Sequence, residues 1–231
     1  MIHLNPIRIA PSILAWDLGD LDEAVRISED GGADQVHLDV IDGHFAPNIT
    51  FGPGTVKALR RKSSLKFDTH LMIDRPTAYV EKFLDAGSDL VTVHAEVLDG
   101  RSFDEVWGQV HRRGKEMGLA IRPSTELPKW AVDRLDKVSA LIVMTVNPGF
   151  SGQTMDMSVM PKLERINQHL SEAGLKVDIE IDGGVEPENA HEVVKRGGNV
   201  LVAGAGVYSK KDPVAAIKDL RTRAEEARKV K

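Results

Sequence analysis

Cysteine is absent from the 231-residue chain, and no apolar run approaches the roughly 20 residues needed to cross a bilayer. The first absence excludes a disulfide framework and a thiol nucleophile. The second, with an N-terminus that lacks a basic region before a long apolar segment, predicts a cytoplasmic protein that has no membrane partner. The net charge of −5, with lysine and arginine scattered along the chain, gives no general attraction for nucleic acid.

Short apolar segments alternate with longer amphipathic ones along the chain. Strand-like segments lie at 7–12, 35–40, 67–72, 90–94, 119–122, 140–144, 178–182 and 200–203. Helical patterns lie near 21–31, 54–62, 77–86, 103–117, 127–134, 157–173, 187–196 and 212–228. Eight successive β and α units predict an α/β fold in one domain, residues 1–231, as a closed (β/α)8 TIM barrel. A doubly wound open sheet is the alternative.

Polar residues stand at the C-terminal ends of several strands, where barrels of this kind carry their function. His37 and Asp39 are two residues apart and so point to the same face of their strand. With His70 and Asp182 they supply two nitrogens and two oxygens, a set that suits one divalent metal ion: Zn, Fe, Mn or Co rather than Mg or Ca. A lone histidine at a strand end is more often structural, and the roles of His44, His94 and Asp68 stay open. Glu180 is interpreted as structural.

Three glycine-rich loops follow the last three strands: VNPGFSGQ (146–153), DGGV (182–185) and AGAG (203–206). Glycine lets backbone N–H groups approach an anion closely, and the loops after strands 7 and 8 of a barrel often bind phosphate. Each loop alone is compatible with a tight turn. Three in succession favour a phosphate site.

The same segments resemble the ribulose-phosphate 3-epimerase family. The matching blocks are IAPSIL (9–14), HLDVIDGHFAPNITFGP (37–53), DTHLMIDRP (68–76), VTVHAE (91–96), VMTVNPGFSGQ (143–153), IEIDGG (179–184) and VAGAGVY (202–208). They stand in the family's order and span nearly the whole chain. The resemblance implies a ribulose-phosphate-binding barrel that epimerises D-ribulose 5-phosphate and D-xylulose 5-phosphate at C3, within the pentose phosphate pathway.

The resemblance also implies roles for individual residues. His37, Asp39, His70 and Asp182 match the metal ligands, and Asp39 and Asp182 match the acid/base pair that works through an enediolate. The residues that match the lining of the substrate and phosphate site are Ser12, His70, Met72, Met144, Gly149, Phe150, Ser151, Gly152, Asp182, Gly183, Gly184, Gly204 and Ala205. Members of the family are commonly oligomeric, so a homo-oligomer is expected.

Three positions depart from the family's pattern. Ile41 stands where methionine is usual, and Ala205 stands where many members have serine. Arg122 stands where many members have asparagine, and the sequence assigns it no role. An epimerase of a six-carbon sugar such as allulose 6-phosphate would share nearly all of these motifs. Another class of phosphate-binding barrel enzyme, or a non-catalytic phosphosugar-binding barrel, explains the paired aspartates and histidines poorly.

Overall fold

Eight parallel strands form the central sheet of the protein in a computed structural model that describes residues 5–229. The strands are β1 (Arg8–Pro11), β2 (Gln35–Ile41), β3 (Lys66–Met72), β4 (Leu90–His94), β5 (Glu116–Ile121), β6 (Ala140–Met144), β7 (Asp178–Asp182) and β8 (Val200–Ala203). Each strand lies beside its neighbours in the chain, and β1 also pairs with β8. A parallel bridge between Ser12 and His37 joins the β1 and β2 ends, so the sheet closes into a barrel. The predicted TIM barrel is confirmed, and the open-sheet alternative is wrong.

Helices lie between the strands and cover the barrel. Within residues 5–229 they are α1 (Leu21–Asp30), α2 (Pro53–Arg60), α3 (Val80–Ala86), α4 (Gly100–His111), α5 (Lys129–Val132), α6 (Met160–Glu172), α7 (Ala190–Lys195), α8 (Ala205–Tyr208) and α9 (Pro213–Lys229). The sequence did not predict α8, because four residues are too few to show a helical period. None of the helices in the described part of the chain combines the length and the apolar composition that crossing a membrane requires.

The boundary between α4 and β5 was predicted wrongly. The helical pattern near 103–117 predicted a helix that ends at Met117, whereas α4 ends at His111, and Met117 and Gly118 lie in β5. The chain turns at Gly114, where φ is +62°. Gly118 instead allows the side chain of Thr92 on β4 to pack against β5, because a Cβ at position 118 would lie 2.2 Å from Oγ1 of Thr92.

Alternate side chains of β2 point to opposite sides of the barrel wall. Val36 and Leu38 are fully buried in the main apolar core, which lies between the strands and the helices. His37 and Asp39 have the opposite parity, so they point into the barrel. All seven residues of β2 are buried, and the inward-facing polar side chains must therefore find partners among themselves.

Candidate active site

The register between β2 and β3 brings the first polar residues together. His37 is paired with Asp68 across the two strands, and Asp39 is paired with His70. Because adjacent parallel strands point paired residues to the same side, all four side chains enter the barrel at its C-terminal end. Asp182, the last residue of β7, completes the group from a strand separated from β2 by β1 and β8.

Four donor atoms of this group converge on one point. Oδ1 of Asp39 lies 3.3 Å from Nε2 of His37 and 3.4 Å from Nδ1 of His70. Oδ2 of Asp182 lies 3.4 Å from the same nitrogen of His70 and 3.9 Å from that of His37. The two ring nitrogens are 3.3 Å apart, and the four atoms lie within 4.8 Å of one another. The structure thus brings the four predicted metal ligands together.

In His37 and His70, the ring nitrogen that points away from Asp39 and Asp182, here called the remote nitrogen, carries the proton. Nδ1 of His37 lies 2.6 Å from Oδ2 of Asp68, and an ionised carboxylate only accepts, so the proton is on Nδ1. Nε2 of His70 lies 2.9 Å from Nε2 of His94, whose Nδ1 lies 2.9 Å from Oε2 of Glu96. When the two rings are neutral, the nitrogens that face Asp39 and Asp182 therefore present lone pairs.

Four lone-pair donors that face one another in a buried site repel unless positive charge lies among them. Two imidazole nitrogens and two carboxylate oxygens are the donor set of a divalent transition metal, and hydrogen-bonded remote nitrogens are the usual second layer of such a site. His37, Asp39, His70 and Asp182 therefore fit a bound metal ion.

The pKa values in the cluster reflect the same demand for positive charge. Burial lowers the pKa of His37, but the carboxylates of Asp68 and Asp39 outweigh burial and raise it well above its ordinary value. Burial raises the pKa of Asp39, but His37 and His70 outweigh burial and lower it well below its usual range. Burial lowers the pKa of His94 to about 4, although Glu96 opposes the shift. His94 is thus neutral at physiological pH.

A cavity opens directly above the cluster. The predicted site residues that line it are Ser12, Asp39, Met72, Met144, Gly149, Phe150, Ser151, Gly152, Asp182, Gly183, Gly184, Gly204 and Ala205. His37 and His70 lie beneath, fully buried, and do not line it. The hydroxyl of Ser12, the residue after β1, donates to Oδ2 of Asp39 on β2 at 2.5 Å, at the cavity floor.

The glycine loops after β6, β7 and β8 form one side of the cavity. Gly184 has a φ of +63°, and a Cβ there would lie 2.3 Å from the backbone nitrogen of Met155 in the preceding loop. Among the hydrogen bonds of residues 5–229, none uses the amide N–H of Gly183, Gly184 or Gly204 as its donor. Unpartnered N–H groups at a cavity wall are suited to an anion.

Sequence reasoning missed several lining residues. Leu14, Val146 and Glu186 also border the cavity. Leu14 and Val146 lie inside the motifs IAPSIL and VNPGFSGQ, but their side chains carry no chemistry that would single them out. Glu186 adds a negative charge near the glycine loops, and Nζ of Lys210 pairs with its Oε2 at 3.3 Å.

The structure also shows the contacts of the residues whose roles the sequence left open. Asp68 and His94 hold the remote nitrogens of His37 and His70, as described above. His44 is exposed, and its hydrogen bonds in the described part of the chain stay within its own loop, to Asp42. Ile41 packs with Met72 and Met144 in a small apolar cluster on the barrel's inner side.

The fold and the site place the protein among the (β/α)8 barrel enzymes. Its buried histidine–aspartate cluster lies below a cavity that is lined on one side by glycine loops. Solved structures share this fold. KGPDC from Streptococcus mutans, solved as a ligand complex, superposes with a TM-score of 0.75 at 14% identity, over 96% of this chain and 98% of that chain.

Sequence similarity identifies the family. The model of the ribulose-phosphate 3 epimerase family matches residues 8–208. A ribulose-phosphate 3-epimerase of Bacillus subtilis is 41% identical over 93% of this chain and 98% of its own length. The chloroplastic ribulose-5-phosphate-3-epimerase of Arabidopsis thaliana is 40% identical over 94% of this chain and 77% of its own length. The chain belongs to the ribulose-phosphate 3-epimerase family.

Proposed function

We propose that the protein is an isomerase that interconverts D-ribulose 5-phosphate and D-xylulose 5-phosphate by epimerisation at C3. The observation that carries the proposal is the pair of carboxylates, Asp39 and Asp182, which belong to one buried cluster and border one cavity. Membership of the family and its relatives named for this reaction support the choice of substrate.

Inversion at C3 needs a base on one face of the sugar and an acid on the other. Removal of the C3 proton leaves a flat enediolate, because the neighbouring C2 carbonyl accepts the charge. Asp39 on β2 and Asp182 on β7 reach the cavity floor from strands that are not adjacent. One carboxylate takes the proton from C3, the other, protonated, delivers a proton to the opposite face, and the reverse reaction exchanges their roles.

His37, Asp39, His70 and Asp182 would hold one divalent ion of Fe, Mn, Zn or Co. Such an ion supplies positive charge close to the site where negative charge develops. The chain's own contribution is to orient the two imidazoles, through the contacts of Asp68 with His37 and of His94 with His70. Ser12, hydrogen-bonded to Asp39, keeps one oxygen of that carboxylate in place at the cavity floor.

The phosphate of the substrate would bind to the loops after β6, β7 and β8. The N–H groups of Gly183, Gly184 and Gly204 point to this role, because they have no acceptor within residues 5–229. Ala205 offers a backbone N–H but no hydroxyl, so the phosphate depends here on the main chain. Binding of the non-reacting phosphate fixes the sugar, so that C3 lies between the two carboxylates.

Exchange of the C3 hydrogen with solvent deuterium, followed by NMR, tests the proposal. Metal-loaded protein should incorporate deuterium at C3 of ribulose 5-phosphate and produce xylulose 5-phosphate, and thorough chelation should stop both. Allulose 6-phosphate, tested side by side, should react more slowly. Faster reaction of the six-carbon sugar would overturn the substrate assignment, and absence of exchange with every ketose phosphate would overturn the activity.

A further inference from the structure

His70 is oriented from behind by His94 and Glu96. The ring planes of His70 and His94 are 18° apart, their centroids are 5.0 Å apart, and their Nε2 atoms are 2.9 Å apart, so the rings meet edge to edge. Nδ1 of His94 donates to Oε2 of Glu96 at 2.9 Å. One proton lies between the two Nε2 atoms, and since Nδ1 of His94 already donates to Glu96, Nε2 of His94 accepts that proton from His70. Nδ1 of His70 then keeps its lone pair toward Asp39 and Asp182.

Arg122, in the loop after β5, holds both neighbours of His94. Its backbone N–H donates to Oε1 of Glu96 at 2.7 Å. Its Nη2 donates to the carbonyl of Phe45 at 2.7 Å, and its guanidinium lies 4.0 Å above the Phe45 ring. The Phe45 ring in turn packs on His94, with centroids 4.4 Å apart. We refer to Phe45, His94, Glu96 and Arg122 as the His94 clamp.

The backbone that carries Arg122 is itself fixed. Nζ of Lys162, a lysine buried on α6, donates to the carbonyls of Arg122, Pro123 and Thr125 at 2.9, 2.7 and 2.9 Å. All three ammonium protons are thus used on one turn. Arg122 has little freedom to move relative to the barrel, so it can transmit a fixed position to Phe45 and Glu96.

We propose that Arg122 is a positioning residue that orients His70 through the His94 clamp. It borders neither the cavity nor the four-donor cluster, so it acts without touching substrate or metal. The guanidinium plane covers the Phe45 ring, which is the contact that the side chain of Arg122 adds to the clamp. The proposal deepens the proposed function and rests on it only in assigning His70 to a metal site.

Arg122→Met tests the proposal, because it keeps an unbranched apolar stem and removes the guanidinium plane and its charge. The matched control is Arg165→Met on α6, which removes an exposed arginine whose one ion pair within residues 5–229 is with Glu126. Metal-free proteins are titrated with Co²⁺, and the cobalt absorption spectrum is recorded. The Zn²⁺-loaded proteins are examined by long-range ¹H–¹⁵N NMR of the histidine rings.

The clamp predicts a Co²⁺ dissociation constant about tenfold higher in Arg122→Met, the lower end of the effect of residues that orient a metal-bound histidine. It also predicts an altered cobalt spectrum and shifted His94 ring signals. Arg165→Met should match the wild type in all three. Phe45→Leu, which removes the ring and leaves Arg122 in place, repeats the test if Arg122→Met does not fold.

An Arg122→Met protein with wild-type affinity, cobalt spectrum and ring signals would overturn the proposal, whatever its turnover. A metal site that Arg122→Met weakens, in a protein whose wild type never epimerises ribulose 5-phosphate, would support the clamp and overturn the proposed function. The two failures are therefore distinguishable.

Discussion

Oδ2 of Asp68 lies 2.6 Å from Nδ1 of His37, and both residues are completely buried. Gln35 adds a second contact to the same oxygen, with Nε2 at 3.2 Å. The carboxylate keeps the proton of His37 on Nδ1 and leaves Nε2 to face Asp39. Asp68 therefore supports the metal site from the layer below it.

Asp68→Asn should weaken divalent-metal binding by about 10- to 100-fold, because the neutral amide no longer holds the His37 tautomer. The check is a Co²⁺ or Zn²⁺ titration of metal-free protein. Asp34→Asn is the control: Asp34 lies at the other end of β2 and accepts the backbone N–H of Ile9 at 2.7 Å. Equal metal affinities for the two variants would contradict the role of Asp68.

Asp39→Asn and Asp182→Asn should each lower turnover by about 100- to 10,000-fold, because each removes one of two proton-transferring groups. The variants should differ in which epimer still exchanges. The remaining carboxylate can remove a proton from the sugar that faces it, so one variant should exchange C3 of ribulose 5-phosphate and the other C3 of xylulose 5-phosphate.

Deuterium exchange of both sugars with metal-loaded variants measures this difference. Metal content must be determined first, because both aspartates also belong to the predicted ligand set. Near-normal epimerisation by either metal-loaded variant would contradict the two-base scheme, and so would loss of exchange from the same epimer in both.

The barrel and the cluster could be predicted because they depend on local patterns. The alternation of Val36 and Leu38 with His37 and Asp39 sets which side chains point inward, and strict βα alternation sets the parallel sheet. The contacts of His37 with Asp68 and of His70 with His94 depend on strand register and ring orientation. These are tertiary properties, so the sequence could leave Asp68 and His94 only as open positions.

Arg122 shows a different limit. Arg122 acts through the ring of Phe45, which belongs to the loop after β2 and lies 77 positions away in the chain. No sequence pattern connects two residues so far apart, so the sequence could not predict the contact. The missed α8 and the misplaced end of α4 have local causes: α8 is too short to show a period, and Gly118 serves packing in β5.

Asp89 should contribute to stability in a pH-dependent manner. Burial raises its pKa, but hydrogen bonds from Nζ of Lys115 at 2.6 Å and from the backbone N–H of Phe67 at 3.0 Å outweigh burial and lower it. A depressed folded-state pKa means that the contribution is complete above the unfolded pKa of about 3.9 and is lost as the pH falls through the folded value.

Asp89→Asn should therefore lower the free energy of unfolding by about 1–3 kcal/mol at pH 7. Its difference from the wild type should shrink below about pH 4. Urea unfolding between pH 7 and pH 2.5 measures the difference. Asp136→Asn, at an exposed aspartate without an ion pair in the described residues, should show none. A difference that grows on acidification would contradict the assigned sign.

Gly184→Ala should damage the cavity more than it damages the fold. An alanine with a φ of +63° destabilises the fold by about 1–2 kcal/mol. Its Cβ would also collide with the Met155 backbone, and this collision would push the loops after β6 and β7 apart. Gly174→Ala is the matched control: φ is +67°, nothing lies within 4 Å of the added Cβ, and Gly174 follows the end of α6 away from the cavity.

Urea unfolding should therefore show a loss of about 1–2 kcal/mol in the control and somewhat more in Gly184→Ala. Steady-state kinetics should show the KM for ribulose 5-phosphate raised about tenfold, the equivalent of about 1.4 kcal/mol, in Gly184→Ala only. Equal KM values in the two variants would mean that the loop after β7 does not hold the phosphate, because backbone strain alone is common to both.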